Sequence, residues 1–199
     1  MGIKRYTANS DTTITNAYKA NLTTRGTGSN MGRADSLEVF SIYAQESSGS
    51  SELSRILVGF PISTITSDRS DGTIPASGSI KFFLRMFSAV TPFTVPRDFT
   101  LTVAAVSGAH NSNTPKQYDF NWQEGNGIDM ENYTNVTRDG IGANWLNMGS
   151  SSTDGTLKWG SSASPTAGGV YYTDNSSSFT VSFDDGTEDL ELDITTLVE

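Results

Sequence analysis

"SIKFFLRMF", residues 79–87, decides the fold class. In an extended chain Ile80, Phe82, Leu84 and Met86 share one face, and Lys81, Phe83, Arg85 and Phe87 share the other. "DFTLTVAAV" (98–106) repeats the pattern, with Phe99, Leu101, Val103 and Ala105 set against Thr100 and Thr102. "SRILVGF" (54–60) groups Ile56, Val58 and Phe60. Near the end, "SFTVSF" (178–183) aligns Phe179, Val181 and Phe183, and "EDLELDI" (188–194) aligns Leu190, Leu192 and Ile194. "SLEVFSIY" (36–43) is apolar on both parities, the pattern of a central strand covered on both faces. The expected core is Val58, Phe60, Phe82, Leu84, Phe99, Leu101, Val103, Val181 and Leu192.

No segment carries a 3.6-residue apolar stripe over three turns; the nearest, Ala17 to Leu22, is short and has no amphipathic continuation. Clusters such as "ESSGSSE" (46–52), "SDRSDGTIPASGS" (67–79) and "GSSASPTAGG" (160–169) punctuate the apolar runs. The rhythm predicts an all-β chain, a single antiparallel β-sandwich of jelly-roll-like kind, over residues 1–199 as one domain with long irregular loops. In "FDDGTED" (183–189), Asp185-Gly186 between two alternating runs reads as a tight hairpin, with Gly186 at positive φ.

Composition narrows the chemistry. A chain of 199 residues can bury a core without staples, and this one has no cysteine. Disulfides, thiolate nucleophiles and cysteine-held metals are therefore excluded. The formal net charge of −9 argues against a phosphate-backbone binder, so no nucleic-acid partner is expected. No window approaches 18 uninterrupted apolar residues, so no membrane partner is expected either. "MGIKRYTANSDTTIT" (1–15) has Lys4 and Arg5 but no apolar stretch after them, unlike a secretory leader. Tyr6 stands where a myristoylation signal wants Ser or Thr. The sequons at Asn21, Asn132, Asn135 and Asn175 read as accidents of an Asn-, Ser- and Thr-rich chain.

Two long stretches lack strand signals: residues 18–35, "YKANLTTRGTGSNMGRAD", and the opening stretch together with "GSSSTDGTLKWGSSASPTAGG" (149–169). Loops of that length are uncommon in compact domains unless functional. Residues 18–35 and 150–170 are accordingly the expected contacts with neighbouring subunits. Between them, residues 122–145 hold two of the three tryptophans and four glycines. An indole buries a large area, so Trp122 and Trp145 are expected to anchor this loop to the core. The glycines would let the chain turn tightly between them.

These residues also carry a resemblance. The chain runs through "RGTGSNMG" (25–32) and a strand in which Arg55 precedes Leu57 and Phe60. It continues with W-x-E-G-x-G at Trp122, Glu124, Gly125 and Gly127, then G-x-N-W at Gly142, Asn144 and Trp145. Trp159 follows, and then F-x-x-G-x-E-D-L-x-x-D-I-T-x-x-V from Phe183 to Val198. The whole resembles DNRLRE-type β-sandwich domains of bacterial surface and carbohydrate-active proteins, and is similar to structural proteins of tailed marine phages such as cyanophages. The resemblance implies a sandwich whose tryptophans are structural. Beginning at a methionine without a leader or a fused enzyme, the chain fits a virion protein assembled in the host cytoplasm.

Candidates for chemistry are few. His110 in "SGAHNSN" (107–113) is the only histidine, in a polar loop with no nucleophile and carboxylate placed around it. Asp189, Glu191 and Asp193 alternate on one face of the last strand. They read either as an acidic edge guard or as ligands of a structural Ca²⁺. "DRSDGT" (68–73) and "GIDMEN" (127–132) offer similar oxygens without EF-hand spacing. Trp159, Tyr171 and Tyr172 are the aromatics that could stack on a glycan. The "RGTGSNMG" loop lacks the strand, lysine and helix of a phosphate cradle. No nucleophile–base pair can be placed, so no enzyme is expected. The expected role is a non-enzymatic virion structural protein, decorating or attached to a capsid or tail surface through contacts with other virion proteins and as a homo-oligomer. The alternative is a carbohydrate-binding module.

Overall fold

The computed structural model describes residues 2–107, 122–130, 142–151, 155–161, 164–176 and 178–199. Of these, 30% are in strands and 8% in helices, a β-rich fold with few helices as the alternation predicts. In chain order the elements are β1 (Ser10–Thr15), β2 (Ser41–Tyr43), β3 (Ser51–Gly59), α1 (Ile62–Ser70), β4 (Phe83–Met86), β5 (Phe99–Ala104), β6 (Asn147–Ser151), β7 (Gly155–Lys158), β8 (Gly160–Ser161), β9 (Ser164–Pro165), β10 (Ser178–Phe183), β11 (Leu190–Asp193) and α2 (Thr195–Val198). Every described strand pair is antiparallel, and the sheets are small and separate: β1-β3-β2, β10-β5, β11-β4, β6-β7 and β8-β9.

The chain forms two compact units. Unit 1 is Met1–Lys4, Ile62–Val106 and Tyr171–Glu199; unit 2 is Arg5–Pro61 and Ser107–Val170. No helix of the described residues is long and apolar enough to cross a membrane.

In unit 1 the period-two reading holds in detail. Ile80, Phe82, Leu84 and Met86 are turned inward and half-buried, while Lys81, Phe83, Arg85 and Phe87 are exposed. β5 alternates likewise, and β10 pairs with it from Ser178↔Ala104 to Phe183↔Phe99. The rings of Phe99 and Phe183 stack at 5.0 Å and 6°. Phe183 and Leu190 are the most enclosed apolar residues of these strands, whereas the expected core residues Phe82, Leu84, Phe99, Leu101, Val103, Val181 and Leu192 are half-buried. Sheets of two strands cover a side chain from one side only, so parity is right and depth is less than expected.

Four expectations are overturned. The 183–189 turn is not a hairpin: β10 pairs with β5 and β11 with β4. Gly186 does take a positive φ of 75°, but it redirects the chain between two sheets. The Glu188 carboxylate stiffens that turn by accepting the N–H groups of Asp184, Asp185 and Thr187. "SLEVFSIY" is not a central strand; only Ser41–Tyr43 pairs, at the edge of its sheet with all three residues exposed. The buried place goes to β1, in the opening stretch read as signal-poor, where Thr12, Thr13, Ile14 and Thr15 are wholly enclosed. Threonine is β-branched and suits a strand, and its hydroxyls are occupied here. Thr13 accepts the Glu38 N–H at 3.0 Å, and Thr15 donates to the Leu53 carbonyl at 2.9 Å. Finally, residues 150–170 include the short pairs β6-β7 and β8-β9 rather than continuous loop.

β3 also departs from its expected parity. Glu52, Ser54 and Leu57 are its buried residues, while Val58 and, just beyond it, Phe60 are half-buried. α1 escapes the periodicity test because Ile62 and Ile65 are its only apolar residues, and only Ile65 is buried. Its hydroxyls turn back on the helix: Thr66 donates to the Ile62 carbonyl and Ser70 to that of Thr66.

Candidate functional site

The tryptophan–glycine motifs converge in unit 2 on one side chain, Asn30, which is completely buried. Its Nδ2 donates to the carbonyls of Glu124 (2.6 Å) and Ala143 (2.7 Å) and to Thr12 Oγ1 (3.4 Å). Its Oδ1 accepts the N–H groups of Gly32 (3.1 Å) and Gly127 (3.0 Å). One amide thus joins β1, the 25–32 loop and both ends of the glycine-rich stretch. Gly125 (φ 80°) and Gly142 (φ 94°) lie against it, and a Cβ on either would overlap the amide. Glycine is needed at both for space as well as for conformation.

The tryptophans sit around this hub. Trp122 and Trp145 are both buried. Trp145 lies 5.2 Å from the Arg55 guanidinium, and Arg55 in turn donates to the Gly168 carbonyl. Asn144, also fully buried, accepts the N–H groups of Leu146 and Asn147 on its side chain. Its carbonyl accepts the Trp159 indole N–H at 2.8 Å. Trp159 is 1% exposed, so its ring offers no face to a sugar, and its assignment to glycan stacking is corrected.

Tyr171 and Tyr172, the other two glycan candidates, belong to unit 1. Tyr171 bridges Val106 and is 42% exposed; Tyr172 is half-buried and donates its backbone N–H to Ala105. Of the three aromatics, Tyr171 alone presents much of its side chain to solvent.

The acidic stripe does not gather as a metal site. Glu191 pairs with Arg85 of β4 at 2.9 Å, and Asp193 with Lys81 at 3.2 Å. Asp189 accepts the Ser88 N–H at 2.9 Å. The hydroxyl of Thr195 foremost, then its N–H and the Lys81 ammonium, hold the Asp193 carboxyl below the usual carboxylate range. Carboxylates already met by cations and N–H donors have little reason to take up Ca²⁺. Among the described residues no group of three or more His, Cys, Asp or Glu side chains could hold a metal ion. In "DRSDGT", Asp68 pairs with Lys4 and Asp71 accepts the Thr73 N–H. Glu131 and Asn132 of "GIDMEN" lie outside the described residues, as does His110.

A cleft of about 100 Å³ in unit 2 is lined by residues including Thr15, Met31, Phe40 and Ile128, with Glu38 and Asp129 at its polar wall. That volume is below the few hundred Å³ of a typical small-molecule site. In the 18–35 loop Ser29, Asn30 and Met31 are buried, while residues 20–24 are exposed.

The conspicuous surface is apolar and lies in unit 1. Phe83 is 50% exposed, Phe87 78%, Phe93 80%, and Val90 is fully exposed. Residues 83–97 carry Arg85 and Arg97 and no carboxylate, in a chain of net charge −9. The sequence shows this surface in one respect: Phe82, Phe83 and Phe87 fall on both parities of β4 and its continuation, and a two-stranded sheet covers only one face. No protein-family model matches this chain, and neither a curated protein nor a solved structure matches it.

Proposed function

We propose that this chain is a non-enzymatic structural protein of a tailed-phage particle, decorating or attached to the capsid or tail surface through protein–protein contacts. The observation that carries the reading is the exposure of Phe83, Phe87, Val90 and Phe93, four large apolar residues within eleven positions of the chain. Contiguous exposed apolar surface of several hundred Å² is uncommon on a monomer and usually marks an interaction site. The resemblance to DNRLRE-type domains and to marine phage structural proteins supplies the setting. On this reading the chain works by binding, without catalysis, in the virion.

The finer architecture that accompanies this role is a jelly-roll-like sandwich. Its support is the nested order of the pairs, β4 with β11 and β5 with β10, in which the outer strands of the sequence embrace the inner ones. A jelly roll arises by winding such a nested antiparallel ribbon.

The test is location. Mass spectrometry and electron microscopy of purified particles should find the protein there in fixed stoichiometry. Protein that is free in infected-cell lysate, absent from particles and turning over a polysaccharide overturns the proposal. The partly exposed Tyr171 keeps glycan binding as a second reading. It predicts glycan-array binding that Tyr171→Ala abolishes without a change in melting temperature.

A further inference from the structure

β4 has one strand partner, and the geometry of that pair shows which edge is open. Ile194 donates its N–H to the Phe82 carbonyl at 2.9 Å, and Ser88 donates to the Asp189 carboxylate. In an antiparallel pair the polar main-chain groups point to alternate sides, so residues 82, 84, 86 and 88 address β11. Those of Phe83, Arg85 and Phe87 point away from it, and among the described residues no strand pairs with β4 on that side. The residues with an open backbone edge are therefore the same ones whose side chains stand in solvent.

We infer that this edge is closed by the β4 strand of a second copy of the chain, antiparallel about a two-fold axis at Arg85. The inference deepens the structural role proposed above and rests on it. Three features favour a copy over another partner.

First, the register about Arg85 sets Phe83 opposite the partner subunit's Phe87, and Phe87 opposite the partner subunit's Phe83, giving two aromatic cross-strand pairs. Second, the charges balance. Arg85 meets the partner subunit's Arg85, but each guanidinium holds its own Glu191 at 2.9 Å. The row reads carboxylate, guanidinium, guanidinium, carboxylate.

Third, the area suits a dimer. Taking about 200 Å² for a fully exposed phenylalanine, the four ridge side chains expose roughly 500 Å². A stable interface buries about 800 Å² per partner; edge pairing covers the facing flanks of Phe83 and Phe87 on either side of the central Arg85 pair, with Lys81 toward the rim. Two strands alone are marginal, whereas the four-stranded β11-β4-β4-β11 sheet formed across the axis is not. A two-fold contact also closes on itself, so growth stops at two copies.

The absence of cysteine makes the test clean. Sedimentation and light scattering of the full chain at micromolar concentration should give twice the 21.3 kDa chain mass. Phe87→Asp should return the monomer, while Ile42→Asp, at the exposed β2 edge, should leave the dimer. Arg85→Cys should oxidise to a disulfide-linked dimer in high yield, since the Cα atoms of facing residues at such a site lie about 5.5 Å apart, within disulfide reach. The Cys variant also covers the case in which Phe87→Asp fails to fold.

A wild-type monomer, a dimer that survives Phe87→Asp, or an Arg85→Cys chain that stays monomeric on oxidation overturns the inference. Recovery of the ridge bound to a different virion protein, or to lipid vesicles, does the same. A monomer that is nonetheless found in purified particles would sink the dimer and leave the particle role standing.

Discussion

Asn30 is the residue whose removal should disturb unit 2 most. Its wholly buried amide satisfies two main-chain carbonyls and two N–H groups, of which those of Ala143 and Gly127 are buried and those of Glu124 and Gly32 half-buried. Each buried group left without a partner costs about 1–3 kcal/mol. Asn30→Ala should therefore lower the unfolding free energy by roughly 3 kcal/mol or more, read by urea titration at unchanged m-value. Gly142→Ala should cost more than the roughly 1–2 kcal/mol that a left-handed backbone imposes on alanine, because its Cβ also overlaps Asn30. Combined with Asn30→Ala the loss should be less than the sum of the two, since the overlap with the amide is gone while that with the Gly125 backbone stays. At the surface, the main-chain N–H groups, that of Asp185 foremost, hold the Glu188 carboxyl down at about 2, against 4.5 for the free side chain. A carboxyl depressed in the folded state contributes stability that is fully present above its unfolded value. That contribution is lost as pH falls from about 4.5 toward 2. Melting temperatures of wild type and Glu188→Gln should differ at neutral pH and converge through that window. A gap that stays constant down to pH 2 would refute the assignment.

In unit 1 strand parity was legible from the sequence, and strand partners were not; in β3 of unit 2 the parity itself departs. In β4, β5, β10 and β11 the inward residues are those the alternation selects, because parity is a property of one extended segment. Pairing is a contact between segments. Asp185-Gly186 has the chemistry of a tight hairpin, yet β10 is taken by β5 nearly eighty residues earlier, through the stacked Phe99 and Phe183 rings. Phe183→Ala should cost about 3–5 kcal/mol, as for a buried ring, and Phe82→Ala clearly less because Phe82 is half-buried. Equal losses would mean that unit 1 is covered more deeply than its small sheets indicate. β1 failed to stand out for a related reason. Three threonines register as polar in a hydropathy pattern, and only their neighbours' N–H and carbonyl groups make them fit to bury.

At the scale of the molecule, far-UV circular dichroism should show a strand-dominated spectrum, in keeping with 8% helix among the described residues. More than about a fifth helix, against the third usual in globular proteins, would contradict it. By itself the sequence determined the β-rich class, the inward face of four strands and the exclusion of thiol chemistry, since each follows from local period or from composition. The tertiary structure alone decided that Trp159 is enclosed and that the acidic stripe of β11 is matched by Lys81 and Arg85. It also decided that Asn30 gathers glycines nearly a hundred residues away, and that Phe83 and Phe87 are left in water. Those outcomes depend on which segments meet across long stretches of chain. An alternating pattern marks the face a strand buries, but it carries no record of the partner that covers that face or of the one still missing from the other.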